Sequence, residues 1–129
     1  MLYLLPWRTP LMLRLVAYGA AIAILLYLCL APVRDLPPET LWDKAEHAIA
    51  WFVLAGVGLL FWPWRPGRVA GFALVLGALV EVLQATMPLG RDGDWHDWIA
   101  DSVGVAAALL AWAIIQRIAS ARSELRSAE

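Results

Sequence analysis

Residues 90–104 read GRDGDWHDWIADSVG and hold four aspartates, one arginine and one histidine, yet they lie between two long apolar runs. The whole chain of 129 residues is 62% hydrophobic and 16% charged, and its mean hydropathy is +0.68. Soluble domains are much less apolar, so this composition indicates an integral membrane protein. We therefore expect the charged residues of segment 90–104 to lie at a membrane surface.

Charge and cysteine content exclude several functions. The net charge of -1 offers no basic surface, so we expect no nucleic-acid partner. Cys29, which lies in an apolar run, is the single cysteine of the chain. One cysteine cannot form an intramolecular disulfide or a thiolate metal cluster. The length fits one domain, covering residues 1–129.

Apolar length predicts the fold, because a helix needs about 20 mostly apolar residues to cross the hydrocarbon layer. Four segments qualify, at about 11–31, 46–63, 68–88 and 97–118. In the second segment the uninterrupted apolar part, Ala48–Trp62, is short, so we expect the preceding DKAEH to be a turn in the membrane interface. The sequence thus predicts an all-α fold, a bundle of four transmembrane helices.

Basic residues predict the orientation, since Lys and Arg are enriched on the cytoplasmic side. With four spans both termini share one side, and this side has seven arginines: Arg8, Arg14, Arg65, Arg68, Arg117, Arg122 and Arg126. The other side has Arg34, Lys44 and Arg91. Tryptophans fall at both predicted boundaries, as in an interfacial belt. We therefore expect cytoplasmic termini and an outward-facing segment 90–104.

This topology brings polar residues from three spans to the outer boundary. Within each span the polar residues lie three or four positions apart and so share one helical face, as in Asp43 with His47, Glu81 with Gln84, and Asp97 with Asp101. Gly104 and Ala108 continue the third face, and small residues let membrane helices approach closely. We expect the three faces to meet in one site.

Glu81 is the least ordinary of these residues. It stands six residues before Met87, roughly 9 Å below the end of its span at the helical rise. An ionised carboxylate at depth costs on the order of 3 kcal/mol, and intramembrane ionisable groups commonly serve function. A bond to a neighbouring helix is the structural alternative for Glu81 and Gln84, and helix capping is the alternative for Asp97 and Asp101.

Cations and histidines add further candidates. Lys44 and Arg91 would contact an anion, with a solvated surface position as the alternative. His47 and His96, with nearby aspartates, offer ligands for a zinc-like ion, but no HExxH pattern is present and an ordinary hydrogen-bonded histidine is more common. We therefore predict neither a metal nor another cofactor. Glu46, Asp92 and Asp94 are expected to be solvated, outside the site.

Three ordered segments carry a family resemblance: DKAEHAIAWFVLAG (43–56), GALVEVLQATMPLGR (77–91) and DWIADSVG (97–104). They resemble the VanZ-like family of small bacterial membrane proteins, which typically show Asp-Lys-x-x-His, Glu-x-x-Gln, an Arg after a proline, and Asp-x-x-x-Asn-x-x-Gly. These elements fall on Asp43, Lys44, His47, Glu81, Gln84, Arg91, Asp97 and Gly104. One position differs, because Asp101 stands where the family usually has Asn.

The resemblance implies a four-helix protein of the bacterial inner membrane with a role in the cell envelope, since the family's namesake is associated with low-level teicoplanin resistance. Two functions fit the residues. The first is recognition of an envelope lipid, a lipid-linked cell-wall precursor or a glycopeptide, through the residues Asp43, Lys44, His47, Glu81, Gln84, Arg91, Asp97 and Asp101. The second is an interfacial hydrolase or transferase acting on a lipid-linked phosphate, with catalytic candidates His47, Glu81, Asp97 and Asp101.

Overall fold

The computed structural model describes residues 6–31, 43–88 and 93–127. Within these ranges the chain forms a 3-10 turn, Pro6–Arg8, and four helices: α1 Leu11–Leu30, α2 Asp43–Phe61, α3 Pro66–Thr86 and α4 Trp95–Ser127. Each helix is long and apolar enough to cross a membrane. The predicted all-α bundle of four transmembrane helices is confirmed, and the chain is a multi-pass membrane protein.

Prolines determine several helix ends. Ala31 and Met87 each precede a proline and adopt extended backbone angles, with ψ of 143° and 142°. The ring of a following proline disfavours the helical conformation, so α1 and α3 end where the sequence predicts. Pro66 occupies the first turn of α3, where its missing N–H costs no helical hydrogen bond.

Helix α2 begins before the second predicted span, which starts at about residue 46. DKAEH, expected to be an interfacial turn, forms the first turn of α2, which begins at Asp43. Asp43 and Glu46 lie in that turn, where negative charge interacts favourably with the helix dipole. The correction matters because it gives Lys44 and His47 fixed helical positions.

Helix α4 extends beyond the fourth predicted span. That span ends near residue 118, whereas α4 continues to Ser127 and is 33 residues long, or about 50 Å at the helical rise. Residues 119–126 are exposed and include alanine, arginine, glutamate and leucine, which favour helix. Polarity therefore ends the apolar span without ending the helix.

The four helices pack around an apolar core. α2 and α4 have the most extensive contact, α3 packs against both, and α1 contacts α2 and α3. The core includes Trp51, Leu54 and Leu59 of α2, Ala73 and Val80 of α3, and Val105 and Ala108 of α4. Large apolar side chains such as Val75 and Leu110 lie on the outside of the bundle, where a bilayer would cover them.

Gly104 marks the closest approach of α2 and α4. A Cβ atom at Gly104 would overlap the Ala48 carbonyl oxygen and would lie 2.9 Å from the Phe52 backbone nitrogen. The two backbones are therefore in contact, as the small residues Gly104 and Ala108 predict. Both helices begin at the same end of the bundle and run in parallel, so their first turns lie side by side.

Candidate functional site

Buried polar side chains gather at the end of the bundle where α2 and α4 begin. His47, Glu81, Asp97 and Asp101 are each at most 9% exposed, although the helices around them are mainly apolar. They come from α2, α3 and α4, the three helices whose polar faces we expected to meet. Buried polar groups need partners, so their hydrogen bonds define what the cluster can do.

His47 and Asp101 form the centre of the cluster. The imidazole Nδ1 and Asp101 Oδ1 are 2.9 Å apart, and both side chains are buried. The His47 ring stacks on Trp51, one helical turn further along α2, with the ring centroids 5.8 Å apart. Asp101 therefore partners a histidine and does not cap α4, the structural alternative considered for it.

Lys44 bridges the first turns of α2 and α4. Its ammonium donates to Asp94 Oδ2 at 3.0 Å and to Asp97 Oδ1 at 2.8 Å. We expected Lys44 to contact an anionic ligand, but two carboxylates already engage its charge. Asp97, whose side chain is 8% exposed, likewise partners Lys44 and does not cap the helix.

Glu81 reaches the cluster from α3. Its Oε2 accepts a hydrogen bond from the Asp94 backbone N–H at 2.9 Å. Its Oε1 is buried and has no hydrogen-bond partner among the residues that the structure describes, and the same holds for Asp101 Oδ2. His47, Glu81 and Asp101 each offer one ligand atom within 4.8 Å of the other two. Two carboxylates thus retain unused acceptor oxygens in a buried site.

Asp94 belongs to the site, although we expected it to be solvated. Its Oδ1 accepts the His96 backbone N–H at 2.9 Å, so Asp94 is the N-cap of α4. This bond, the contact of Oδ1 with the His96 ring and the Lys44 ammonium together hold the pKa of Asp94 well below its usual range. An aspartate just before an apolar helical run is typical of an N-cap, so the capping role of Asp94 could have been predicted from the sequence.

Gln84 does not join the cluster as expected. Its amide Nε2 donates to the Cys29 carbonyl oxygen of α1 at 2.9 Å. Gln84 and Glu81 share the buried side of α3, but Gln84 fastens α1 while Glu81 faces α4. This is the helix-to-helix bond considered as the structural alternative for Gln84.

Gly77 and two tryptophans support the cluster and were absent from the sequence predictions. Trp51 and Trp98 donate their indole N–H groups to the carbonyls of Ala73 and Leu74 on α3, at 2.9 and 3.0 Å. A Cβ atom at Gly77 would lie 2.7 Å from Asp101 Oδ2 and 3.1 Å from Trp51 Nε1. Gly77 lies four residues before Glu81, and Trp51 lies four residues after His47. Each therefore lies one helical turn along the same face as a polar residue that the sequence analysis had identified.

Two further candidate residues, Asp43 and His96, lie at the edge of the buried cluster. Asp43 is partly buried at the start of α2, beside His47 and Asp97. His96 is exposed and contacts Asp94 rather than the buried cluster. Arg91, the second expected anion contact, and Asp92 lie outside the described residues.

A groove opens beside the cluster, between the end of α3 and the start of α4. Its volume is about 340 Å³, and it is lined by Ala78, Glu81, Val82, Ala85, Gly93, Trp95 and Trp98. Glu81 is the acidic member of this otherwise apolar and aromatic lining. The groove thus extends from the outside of the bundle to Glu81.

A second cavity lies at the opposite end of the bundle. Its volume is about 430 Å³, and Tyr18, Arg65 and Arg68 are among its lining residues. Nearby, Arg14 donates to the Phe61 carbonyl oxygen and packs against Trp62. Arginines and tryptophans at one level are typical of a membrane interface, and this cavity contains none of the clustered carboxylates.

No family model, curated protein or solved structure matches this chain. The resemblance to VanZ-like proteins therefore stays a prediction from the quoted segments, and the function is argued from the geometry of the cluster and the groove.

Lys44 and Asp97 are expected to be energetically coupled. Lys44→Met should lower the melting temperature in detergent, because it leaves the nearly buried Asp97 carboxylate without its cation. The double variant Lys44→Met/Asp97→Asn should lose less than the sum of the two single variants, since it removes both charges. Thermal unfolding of the four proteins measures this coupling. Additive losses would show that the ion pair does not connect α2 to α4.

Proposed function

We propose that this chain is a VanZ-like membrane protein that recognises an amphiphile of the cell envelope in the groove between α3 and α4. The candidates are an envelope lipid, a lipid-linked cell-wall precursor and a glycopeptide of the teicoplanin type. The observation that carries the proposal is the position of Glu81, which lines the groove and retains a buried oxygen without a partner among the described residues.

The lining of the groove favours a ligand with an apolar and a polar part. Ala78, Val82 and Ala85 would contact an acyl or prenyl chain, and Trp95 and Trp98 suit the level where chain and headgroup meet. The polar part would lie towards Glu81. A ligand that enters from the bilayer needs such a lateral opening, because the tail remains in lipid.

The negative charge of the buried carboxylates limits which polar groups of a ligand can bind beside Glu81. Glu81, Asp97 and Asp101 are buried at this level, with Asp94 beside them, whereas Lys44 is already engaged by two carboxylates. Hydroxyl, amide and ammonium groups would donate to the Glu81 carboxylate where it lines the groove. A phosphate would be repelled unless a cation accompanied it. Direct anion recognition by Lys44, as the sequence suggested, is therefore the weaker version of this function.

Interfacial hydrolysis or group transfer is the second candidate, favoured by the contact of His47 with Asp101. A carboxylate that holds one ring nitrogen of a histidine orients the imidazole for proton transfer, and Glu81 stands close to both residues. The substrate would be a lipid-linked phosphate that enters through the same groove. Turnover of such a substrate by the purified chain distinguishes this function from recognition alone.

For the orientation, we propose a place in the bacterial inner membrane with both termini in the cytoplasm. The basic residues near the ends of the helices support it, because seven arginines lie on the side of the termini. The cluster and the groove would then face the outer surface, where envelope precursors and glycopeptides are found.

Two substitutions test the groove. Glu81→Gln keeps size and shape but removes the charge, and Ala78→Phe places a ring in the groove. We expect Glu81→Gln to lower binding of the copurified lipid, or of teicoplanin, about tenfold or more, the effect of weakening one hydrogen bond to a charged group. Ala78→Phe should also lower binding, because the ring would occupy part of the groove. Ala107→Phe is the matched control, because Ala107 is exposed on α4 outside the groove lining.

Melting temperature and membrane abundance should stay near wild-type values in all three variants. If Glu81→Gln and Ala78→Phe bind ligand as well as the control does, the groove is not the binding site. If Glu81→Gln fails to accumulate in the membrane, the residue serves the fold instead.

Thiol labelling tests the orientation. In a Cys29→Ser background, His96→Cys should react with an impermeant thiol reagent in intact cells, because the His96 side chain is 51% exposed at the outer end. Gly67→Cys at the other end should react only after the cells are opened; no atom lies within 4 Å of a Cβ placed there. The reverse labelling pattern would place the termini outside.

A further inference from the structure

We propose that His47, Glu81 and Asp101 bind one divalent transition-metal ion between α2, α3 and α4. Each of the three side chains offers a ligand atom within 4.8 Å of the other two, and all three are buried. The sequence alone predicted no metal, because it has no HExxH pattern and an ordinary hydrogen-bonded histidine is more common. The fold brings His47, Glu81 and Asp101 together.

Two buried carboxylate oxygens without hydrogen-bond partners among the described residues support the presence of an ion. Asp101 is fully buried and Glu81 is 9% exposed, yet Asp101 Oδ2 and Glu81 Oε1 have no hydrogen-bond partner among the described residues. Asp101 Oδ2 points towards α3, where a Cβ atom at Gly77 would lie only 2.7 Å away. Glu81 stands one turn further along that helix. A buried charged oxygen without a partner is costly, and a cation satisfies two at once.

The donor set suits a transition metal. One imidazole and two carboxylates are ligands for ions such as Zn²⁺ and Mn²⁺, whereas Mg²⁺ and Ca²⁺ prefer oxygen ligands alone. Ligand atoms around a tetrahedral zinc-like ion stand about 3.4 Å apart, given bond lengths of about 2.1 Å. Side chains within 4.8 Å of one another would have to move together by only about an ångström or so.

Charge balance also favours a divalent ion between these three side chains. Two carboxylates and a neutral imidazole carry two negative charges, which one divalent ion neutralises. The nearby ammonium of Lys44 is bonded to Asp94 and Asp97 instead. An ion at this position would also face the groove through Glu81, and it would supply the cation that a phosphate headgroup requires. Metal binding by these side chains does not depend on which amphiphile occupies the groove.

A second set of possible ligands overlaps the first. Asp43, His47 and Asp97 also offer atoms within 4.8 Å of one another. However, the Lys44 ammonium lies 2.8 Å from Asp97 Oδ1 and would repel a metal ion there. Asp43 is only partly buried, so burial does not force its carboxylate to find an ion. The set of His47, Glu81 and Asp101 is therefore preferred.

Titration of the purified full-length chain tests the site. Untagged protein in detergent is freed of metal with a chelator and titrated with Zn²⁺, Mn²⁺ or Mg²⁺ in a calorimeter. We expect one Zn²⁺ or Mn²⁺ per chain and much weaker binding of Mg²⁺. Glu81→Gln and Asp101→Asn should each weaken Zn²⁺ binding by at least the roughly 10- to 100-fold that loss of an outer-shell partner causes.

Three matched variants serve as controls: Asp43→Asn, Glu124→Gln and His96→Gln should keep the affinity of the wild type. Zn²⁺ should raise the melting temperature of the wild type and of these controls, but not that of Glu81→Gln. The proposal is overturned if the wild type binds no ion, if Glu81→Gln binds Zn²⁺ as the wild type does, or if binding is lost in Asp43→Asn or His96→Gln.

Discussion

The contact of α2 with α4 across Gly104 is the constraint on which the rest of the structure depends. Because Gly104 has no side chain, its backbone meets the carbonyl of Ala48 directly. This contact sets both the distance and the register of two parallel helices. One turn towards the start of the two helices, His47 then meets Asp101, and about one turn further Lys44 meets Asp97. A wider separation of these helices would remove both pairs.

The same contact explains how an apolar bundle contains so many polar groups. Carboxylates are expensive within a membrane, and they are tolerated where they face the bundle interior and find partners. Lys44 and the Asp94 backbone N–H supply some of these partners, and Trp51 packs on His47. Two acceptor oxygens remain unused among the described residues, next to a groove that opens beside α3. Stability alone does not explain that arrangement, which is why we propose that the site binds a ligand or an ion.

Local signals predicted most of the fold. Apolar lengths and prolines place α1 and α3 within two residues of their observed bounds, and spacing along each helix correctly pairs Asp43 with His47 and Asp97 with Asp101 on single faces. The errors concern relations between helices. Nothing in the chain around Gln84 shows that α1 rather than α4 faces it, and Asp94 enters the site because Lys44 of α2 and Glu81 of α3 both bond to it. Such contacts follow from packing, which a single sequence does not display.

Unfolding of Gly104→Ala tests the central contact most directly. Gly56→Ala is the control, because no atom lies within 4 Å of a Cβ placed at Gly56, whereas one at Gly104 overlaps the backbone of α2. Gly104→Ala should lower the free energy of unfolding in detergent by about 1–3 kcal/mol, the usual cost of overpacking, and Gly56→Ala should not. A Gly104→Ala protein as stable as the control would contradict the close approach of α2 and α4.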